Sequence, residues 1–492
     1  MNILLATSEV VPFAKTGGLA DVCGALPLAL KELGHEVAVI APAYRATNYC
    51  GRPVDKTAID FIVPIGGKTV TGHILKSSLP GEEVPVYLIQ QDLYYDREGL
   101  YGNEAGDHYD NCERFVFLCR AIMEAIRLLD LKVDVLHAND WQTALATAYL
   151  KTEYAHSPDY ENIASLLTIH NMAFQGVFWH WDMLLTGLDW KYFNWKQMEF
   201  HDQLNLLKTG VVFADSLNTV SPQYAQEIQT PDFGYGLEGV LSHRASSLSG
   251  IVNGVDYRIW NPATDDALTT NYDETNWREG KAANKSSLQR ELGLATDSTV
   301  PLIGMVSRLT EQKGFDLALS VMQRWLEQRD VQWVVLGTGD SRFHDELQYL
   351  AGQYPQKLAI YLGFDDALAH RIQGAADMFL MPSRFEPCGL TQLYALKYGA
   401  VPVVRSTGGL VDTICDANDE SIASQTATGF HFPDAGAESL EHTLDRACRV
   451  FWDNADGWEE IVVAGMRQDW SWTRSAKQYV NLYEETISRK RS

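Results

Sequence analysis

The stretch SGIVNGVDYRIWNP (Ser249–Pro262) separates two halves of the chain that read alike. Before it, short apolar runs alternate with helix-length segments: NILLAT from Asn2, EVAVIAP from Glu36, VDVLHA from Val133, SLLTIH from Ser165 and SLNTVS from Ser216. After it, a polar stretch runs to about Ser298 and the alternation restarts with PLIGMVS from Pro301, WVVLGT from Trp333, LAIYLG from Leu358, MFLMPS from Met378 and VPVVRS from Val401. These runs are rich in β-branched residues and Leu, and they end in small or turn-forming residues, as parallel strands buried on both faces do. Strands alternating with helical segments predict an α/β fold of doubly wound layers. We therefore expect two Rossmann-like domains, 1–253 and 254–470, with a hinge near Asn253–Asp256. A C-terminal helix over about 471–492 carries an aromatic–aliphatic face (Tyr479, Leu482, Tyr483) suited to crossing back onto the first domain.

The length of 492 residues fits two or three domains at roughly 100–200 residues each. Lys and Arg number 40 against 64 Asp and Glu, a net charge of −24. That excess argues against sequence-independent nucleic-acid binding, which needs a basic face, and against docking on anionic membranes. Hydrophobic residues at 46% and charged residues at 21% describe a chain with a sizeable core. The seven cysteines include no C-x-x-C pair, so neither a disulfide framework nor a zinc ribbon is expected, and a reduced cytoplasmic setting is. The N-terminus lacks a basic region followed by a long apolar one, and no run of about 20 apolar residues suggests a membrane span.

In open α/β sheets ligands bind beyond the carboxyl ends of the strands, so strand-end residues are the candidates. After the first strand come Lys15, Thr16, Gly17, Gly18, Leu19, Ala20 and Asp21. A Gly pair between strand and helix lets an anion approach the backbone, and Lys15 adds a charge; the same residues also suit an ordinary tight turn with an exposed Lys. Arg308 and Lys313 follow the first strand of the second half. They can hold a diphosphate, or serve as solvated surface cations. In MPSRFEPCGLTQLYALKYGA, a strand ends near Pro382 and a helix is predicted from about Gly389. That would aim the N–H groups of Gly389, Leu390 and Thr391 outward as an anion cradle, with Glu386 and Cys388 just before it. Glu386 can meet a sugar on that phosphate or simply cap the helix. RSTGGL (Arg405–Leu410) repeats the strand-then-Gly-pair design. In the first half His137, Asn139, Asp140 and Trp141 share one strand end, and His170 and Asn171 another. Asp140 can accept from hydroxyls and Trp141 offers a plane for sugar rings, whereas a lone His is more often structural.

Several chemistries lack their motif. LGTGDSR (Leu336–Arg342) has Arg342 in place of the third Gly of a dinucleotide fingerprint, and GGKT (Gly66–Thr69) has Ile62 in place of the first Gly of a P-loop. No G-x-S-x-G elbow and no D-x-D occur. Fixed cations and helix ends remain as the means of neutralising a nucleotide diphosphate.

KTGGLADV, SRLTEQKG, SRFEPCGLTQLYALKYG and TGGLVDT together resemble the bacterial glycogen synthases and plant starch synthases, in order and over nearly the whole chain. The resemblance implies the GT-B architecture, two Rossmann-like domains facing across a deep cleft. It implies transfer of glucose from ADP-glucose to the non-reducing end of an α-1,4-glucan (glycogen or a maltooligosaccharide), with retention and with no metal or other cofactor. It implies roles for single residues. Arg308 and Lys313 bind diphosphate, and Lys15, with Gly17 and Gly18, faces the nucleotide. Glu386 is essential for turnover and contacts the glucosyl group. Cys388, Gly389 and Leu390 lie on the sugar and Thr391 on phosphate. His170 flanks the reacting sugar, Asn253 contacts glucose, and Asp140, Trp141 and Tyr101 line the acceptor side. Phe364 stands where a Tyr often stacks on adenine. Asn139 replaces a His, Gln142 follows Trp141, and Tyr394 stands where many related transferases carry a second carboxylate. Glucan phosphorylases, sugar-nucleotide epimerases and non-catalytic glucan-binding proteins are the alternatives that share this scaffold or ligand.

Overall fold

The computed structural model describes residues 1–81, 83–104 and 106–491. Its contacts divide the chain into two compact units: Met1–Gly254 with the C-terminal segment from Trp472, and Val255–Ser471. The expected final residue of the C-terminal helix, Ser492, lies outside the described residues.

The first unit is built on a nine-stranded sheet in the order Leu248–Gly250, Ser216–Thr219, Ala164–Ile169, Val135–Asn139, Asn2–Ala6, Glu36–Pro42, Pro85–Gln90, Lys68–Ser78, Asp55–Ile65. The first seven pair in parallel and the last two antiparallel. From Asn2–Ala6 the chain moves to one neighbour through the helix Gly18–Glu32, while Val135–Asn139 lies on the other side. This reversal of strand order opens a crevice at the carboxyl ends of those two strands, where ligands bind in open α/β sheets. Ile3, Leu5, Val39, Leu88, Val135 and Leu166 fill the layer against helices. The helix Trp472–Arg491 packs into the same core through Tyr479 and Tyr483. It is anchored by polar bonds too: the Tyr479 hydroxyl accepts from Asn218 Nδ2 (3.1 Å), and the Tyr483 hydroxyl meets His137 Nδ1 (2.9 Å).

The second unit holds a six-stranded, wholly parallel sheet ordered Leu358–Leu362, Gln332–Gly337, Leu302–Val306, Met378–Met381, Val401–Arg405, Phe430–Phe432. Strand order reverses beside Leu302–Val306, so the loops after Val306 and Met381 form its crevice. Trp325, Trp333, Phe315, Leu380 and Val403 lie in its buried core. Among the described residues no helix is long and apolar enough to cross a membrane.

Candidate active site

In the second unit, two loops interlock at the crevice. Gly314 has φ +71°, and a Cβ there would lie 2.0 Å from the Pro382 carbonyl oxygen, so only glycine lets the Arg308–Lys313 loop approach the next strand end. Arg384 N donates to the Gln312 carbonyl at 2.8 Å. Across this junction Lys313 Nζ lies 2.6 Å from Glu386 Oε2, which also accepts from Ser383 Oγ at 2.9 Å. Glu386 is 5% exposed. A buried carboxylate is retained only when paired and hydrogen-bonded, and this one is both. Arg308 is exposed, and its guanidinium has no partner among the described residues. Lys313 is therefore already shared with Glu386, and Arg308 is the spare cation of the pair.

The helix after Glu386 runs Thr391–Tyr398, not from Gly389 as expected. Gly389 is left-handed (φ +73°), which holds it and Leu390 outside the helix. The N–H groups of Gly389, Leu390 and Thr391 still have no acceptor among the described residues. They point to an anion site at a helix start. Cys388 is buried at the turn.

The second glycine pair has a role the strand-then-Gly pattern does not suggest. A Cβ on Gly408 (φ +45°) would lie 2.0 Å from the Glu386 carbonyl oxygen, and one on Gly409 would lie 2.2 Å from that of Cys388. Gly409 N donates to the Glu386 carbonyl at 3.1 Å. The pair backs the Glu386 loop directly. Buried Arg405 braces it from below, donating from Nε to Ser383 O (2.8 Å) and from Nη2 to Arg384 O. At the position of the missing second carboxylate, Tyr394 stacks on Trp260 (3.9 Å, 5°), which stacks on His370 (3.8 Å, 11°). Phe364 is 82% exposed past a strand end, an open ring face in the same unit.

In the first unit, the glycine loop differs from the expectation. Glu9, a residue the sequence reading passes over, is buried and accepts from Thr16 N (2.5 Å), Thr16 Oγ1 (2.6 Å), Gly17 N (3.3 Å) and the Tyr101 hydroxyl (2.7 Å). The Gly17 amide thus serves a protein carboxylate rather than standing open. Lys15 Nζ pairs with Asp21 Oδ1 at 2.7 Å, half exposed, instead of pointing free, and Gly18 opens the helix. Tyr101 also meets Ser8 Oγ at 2.7 Å, so Ser8, Glu9, Tyr101 and the loop form one hydrogen-bonded set.

Asp140 adopts φ +56° at the head of its helix and accepts from His170 N at 2.7 Å. Burial, with the Glu9 charge adding to it, pushes its carboxyl up to about 7. Asn139 is oriented by its Nδ2 bonds to Ala6 O and His137 O, so its Oδ1 accepts from His170 Nε2 at 2.9 Å. His170 therefore carries its proton on Nε2 and is neutral, since burial drives its pKa down to about 3. His137, between the Tyr483 hydroxyl and Thr168 Oγ1, is structural. Trp141 corrects the reading as an open sugar platform: it is 8% exposed, packed on Phe115 and Phe178, and Gly176 closes on its ring. Asn253 is buried with no partner for Oδ1 among the described residues, an acceptor available to a hydroxyl.

The Asp140 shift has a stability consequence. A carboxyl whose folded pKa lies above its ordinary 3.8 opposes folding once ionised, so its cost grows as pH rises from about 4 to about 7. Asp140→Asn should gain stability relative to the parent across that window, by about 1–4 kcal/mol. Urea unfolding at pH 5 and pH 8 measures it; a difference independent of pH would contradict the shift.

Arg308 and open amides at the crevice of one doubly wound unit, beside a paired buried carboxylate, and a carboxylate–imidazole set at the crevice of another, define a GT-B glycosyltransferase. Comparison with known proteins agrees. Residues 2–243 match the family model described as starch synthase catalytic domain, and residues 292–449 that of glycosyl transferases group 1. A glycogen synthase of Rhodopirellula baltica is 48% identical, covering 99% of this chain and 98% of its own, and one of Syntrophotalea carbinolica is 47% identical, covering 99% of each. The structure of the catalytic domain of starch synthase IV from Arabidopsis thaliana, bound to ADP and acarbose, superposes with TM-score 0.90 at 32% identity, covering 99% of both chains. Sucrose-phosphate synthase from Thermosynechococcus elongatus, at TM-score 0.60 and 15% identity, shares the fold. The chain belongs to the glycogen synthase and starch synthase family and is a hexosyltransferase.

Proposed function

We propose that this enzyme transfers glucose from ADP-glucose to the non-reducing end of an α-1,4-glucan with retention of configuration. The observation that carries the reading is the Lys313–Glu386 pair set beside the spare Arg308 and the open amides of Gly389–Thr391. It is supported by the ADP and acarbose of the starch synthase neighbour, a nucleotide and a sugar-like ligand. In this reading the diphosphate lies against Arg308, Lys313 and the amides, which stabilise the charge that develops as the glucosyl–oxygen bond breaks. Glu386, held in place by Ser383 and Lys313, meets the glucosyl group. The acceptor 4-hydroxyl adds to the anomeric carbon on the face the diphosphate leaves, and its proton passes to a diphosphate oxygen. Neutral His170 contributes no positive charge to repel the oxocarbenium-like sugar. Asp140 and Tyr101 accept from acceptor hydroxyls, and Phe364 stacks on adenine.

We further propose that the transfer uses no metal and no organic cofactor, the diphosphate charge being met by side chains and amides. The test is incubation with maltotriose and either ADP-glucose or UDP-glucose in EDTA, with product sizing and proton NMR of the new linkage. Elongation by α-1,4-linked glucose with release of ADP is expected. No elongation, a β linkage, or a requirement for added divalent ion would contradict the reading.

A further inference from the structure

Two loops of the first unit, one on the nucleotide side and one on the acceptor side, meet on a single carboxylate. Glu9 is 3% exposed, and among the described residues no Lys or Arg pairs with it. Four donors hold its charge instead. Oε2 takes the amides of Thr16 (2.5 Å) and Gly17 (3.3 Å), and Oε1 takes the hydroxyls of Thr16 (2.6 Å) and Tyr101 (2.7 Å). A buried charge without a counter-ion is tolerated only while its hydrogen bonds are complete, so this carboxylate needs both loops in place.

Glu9 itself is fixed. Its N–H donates to Thr7 Oγ1 (3.2 Å), and that hydroxyl donates to the Glu9 carbonyl (2.8 Å). Thr7 is fully buried, and its N–H donates to the carbonyl of Ile40 on the neighbouring strand (3.0 Å). On the nucleotide side, the helix Gly18–Glu32 has Gly17 at its head and no side chain capping it. Glu9 takes the amides of the two residues before the helix, and those of Gly18 and Leu19 are left without an acceptor among the described residues. The carboxylate therefore decides which amides of the glycine loop stay open to a phosphate.

On the acceptor side, the Tyr101 backbone is held from behind. Its carbonyl accepts from Asn111 Nδ2 (2.8 Å) and His108 N (2.9 Å). Fully buried Arg114 donates in turn to Asn111 Oδ1 (2.6 Å) and Leu100 O (2.9 Å). These bonds leave the ring free to turn, and among the described residues Glu9 and Ser8 Oγ (2.7 Å) fix its hydroxyl. The Glu9 charge also adds to the burial that raises the Asp140 carboxyl, which places it within electrostatic reach of a third acceptor-side group.

We propose that Glu9 is a positioning residue for both substrates, holding the glycine loop in the shape that receives the nucleotide and Tyr101 in the place that receives the acceptor. The inference rests on the ADP-glucose and glucan reading of the preceding section. Glu9 touches neither substrate and acts only through its four partners. Because those partners bind rather than react, its loss raises both KM values and spares kcat. A carboxylate with a structural role alone would lower stability and leave KM where it was.

The test is steady-state transfer by the full chain, varying ADP-glucose at saturating maltotriose and the reverse, in Glu9→Ala and Glu9→Gln. In Glu9→Ala we expect KM to rise roughly tenfold or more for each substrate, the weight of lost hydrogen bonds to a charged group, with kcat within about fivefold of the parent. In Glu9→Gln the amide oxygen can take the two N–H groups and the amide NH2 can donate to the two hydroxyls, so both KM values should stay within about threefold of the parent. Parental KM values in Glu9→Ala, or a rise for one substrate only, overturn the proposal. So does a Glu9→Gln enzyme as impaired as Glu9→Ala. If Glu9→Ala is unfolded by circular dichroism, Thr16→Val carries the test, because it removes one donor at an exposed position. It should raise KM for ADP-glucose roughly threefold or more and leave that for maltotriose unchanged; a parental KM for ADP-glucose overturns the proposal. A parent that transfers glucose while Glu9→Ala keeps both KM values overturns this inference alone. A parent that transfers none from ADP-glucose overturns the reading beneath it as well.

Discussion

Lys313→Ala is expected to lower kcat by roughly 10²–10³, the loss that follows removal of one preorganised charge-stabilising donor, about 2.7–4 kcal/mol. It should also destabilise the protein, because the Glu386 carboxylate is left buried with Ser383 as its remaining side-chain partner among the described residues. Breaking a buried ion pair from one side costs about 3–5 kcal/mol. The two effects separate in a double variant. Lys313→Ala/Glu386→Gln removes the stranded charge and should recover much of the stability while remaining inactive. Urea midpoints and single-turnover rates report the two quantities independently. A Lys313→Ala protein with parental kcat would show that the cation takes no part in diphosphate departure.

Gly408→Ala should be nearly as damaging, although residue 408 bears no functional group. A Cβ there would lie 2.0 Å from the Glu386 carbonyl oxygen, a backbone atom that cannot swing aside, at a backbone angle of φ +45° that side chains disfavour. The left-handed conformation and the overlap together cost about 2–5 kcal/mol. Relief would come from shifting the Glu386 loop, so activity should fall with stability. Gly436→Ala is the control: among the described residues nothing lies within 4 Å of a Cβ there. It should stay within about 0.5 kcal/mol of the parent. Equal midpoints and equal kcat for the two alanine variants would mean that the glycine pair does not set the Glu386 loop.

What the sequence makes legible follows from where the groups lie along the chain. Arg308, Lys313, Glu386 and Thr391 each sit within a few residues of an apolar run. Their position at a strand end, and hence at a crevice, is a local property. The division near residue 254 is legible for the same reason, as a break in a repeating pattern. Glu9 is not, because its partners Thr16, Gly17 and Tyr101 are brought to it only by the fold, although a carboxylate directly after the first apolar strand is a signal that a closer reading can use. The Gly408–Gly409 contacts with Glu386 and Cys388, and the brace from Arg405, are likewise tertiary. The expected helix start at Gly389 moves to Thr391 because the left-handed Gly389 ends the loop rather than beginning the helix. Trp141 reads as a sugar platform from its strand-end position; the close approach of Gly176, 35 residues away, buries it.

Calorimetric titration of ADP into the protein in EDTA, parent and Arg308→Ala side by side, tests the fixed-cation site most directly. Arg308 is exposed and free of protein partners among the described residues, so its removal leaves the fold intact and takes away the unpaired member of the two cations assigned to the diphosphate. We expect the parent to bind and the variant to lose affinity by at least about tenfold, the weight of a charge-assisted contact. Identical isotherms, or a parent that binds ADP only when a divalent ion is added, would contradict it.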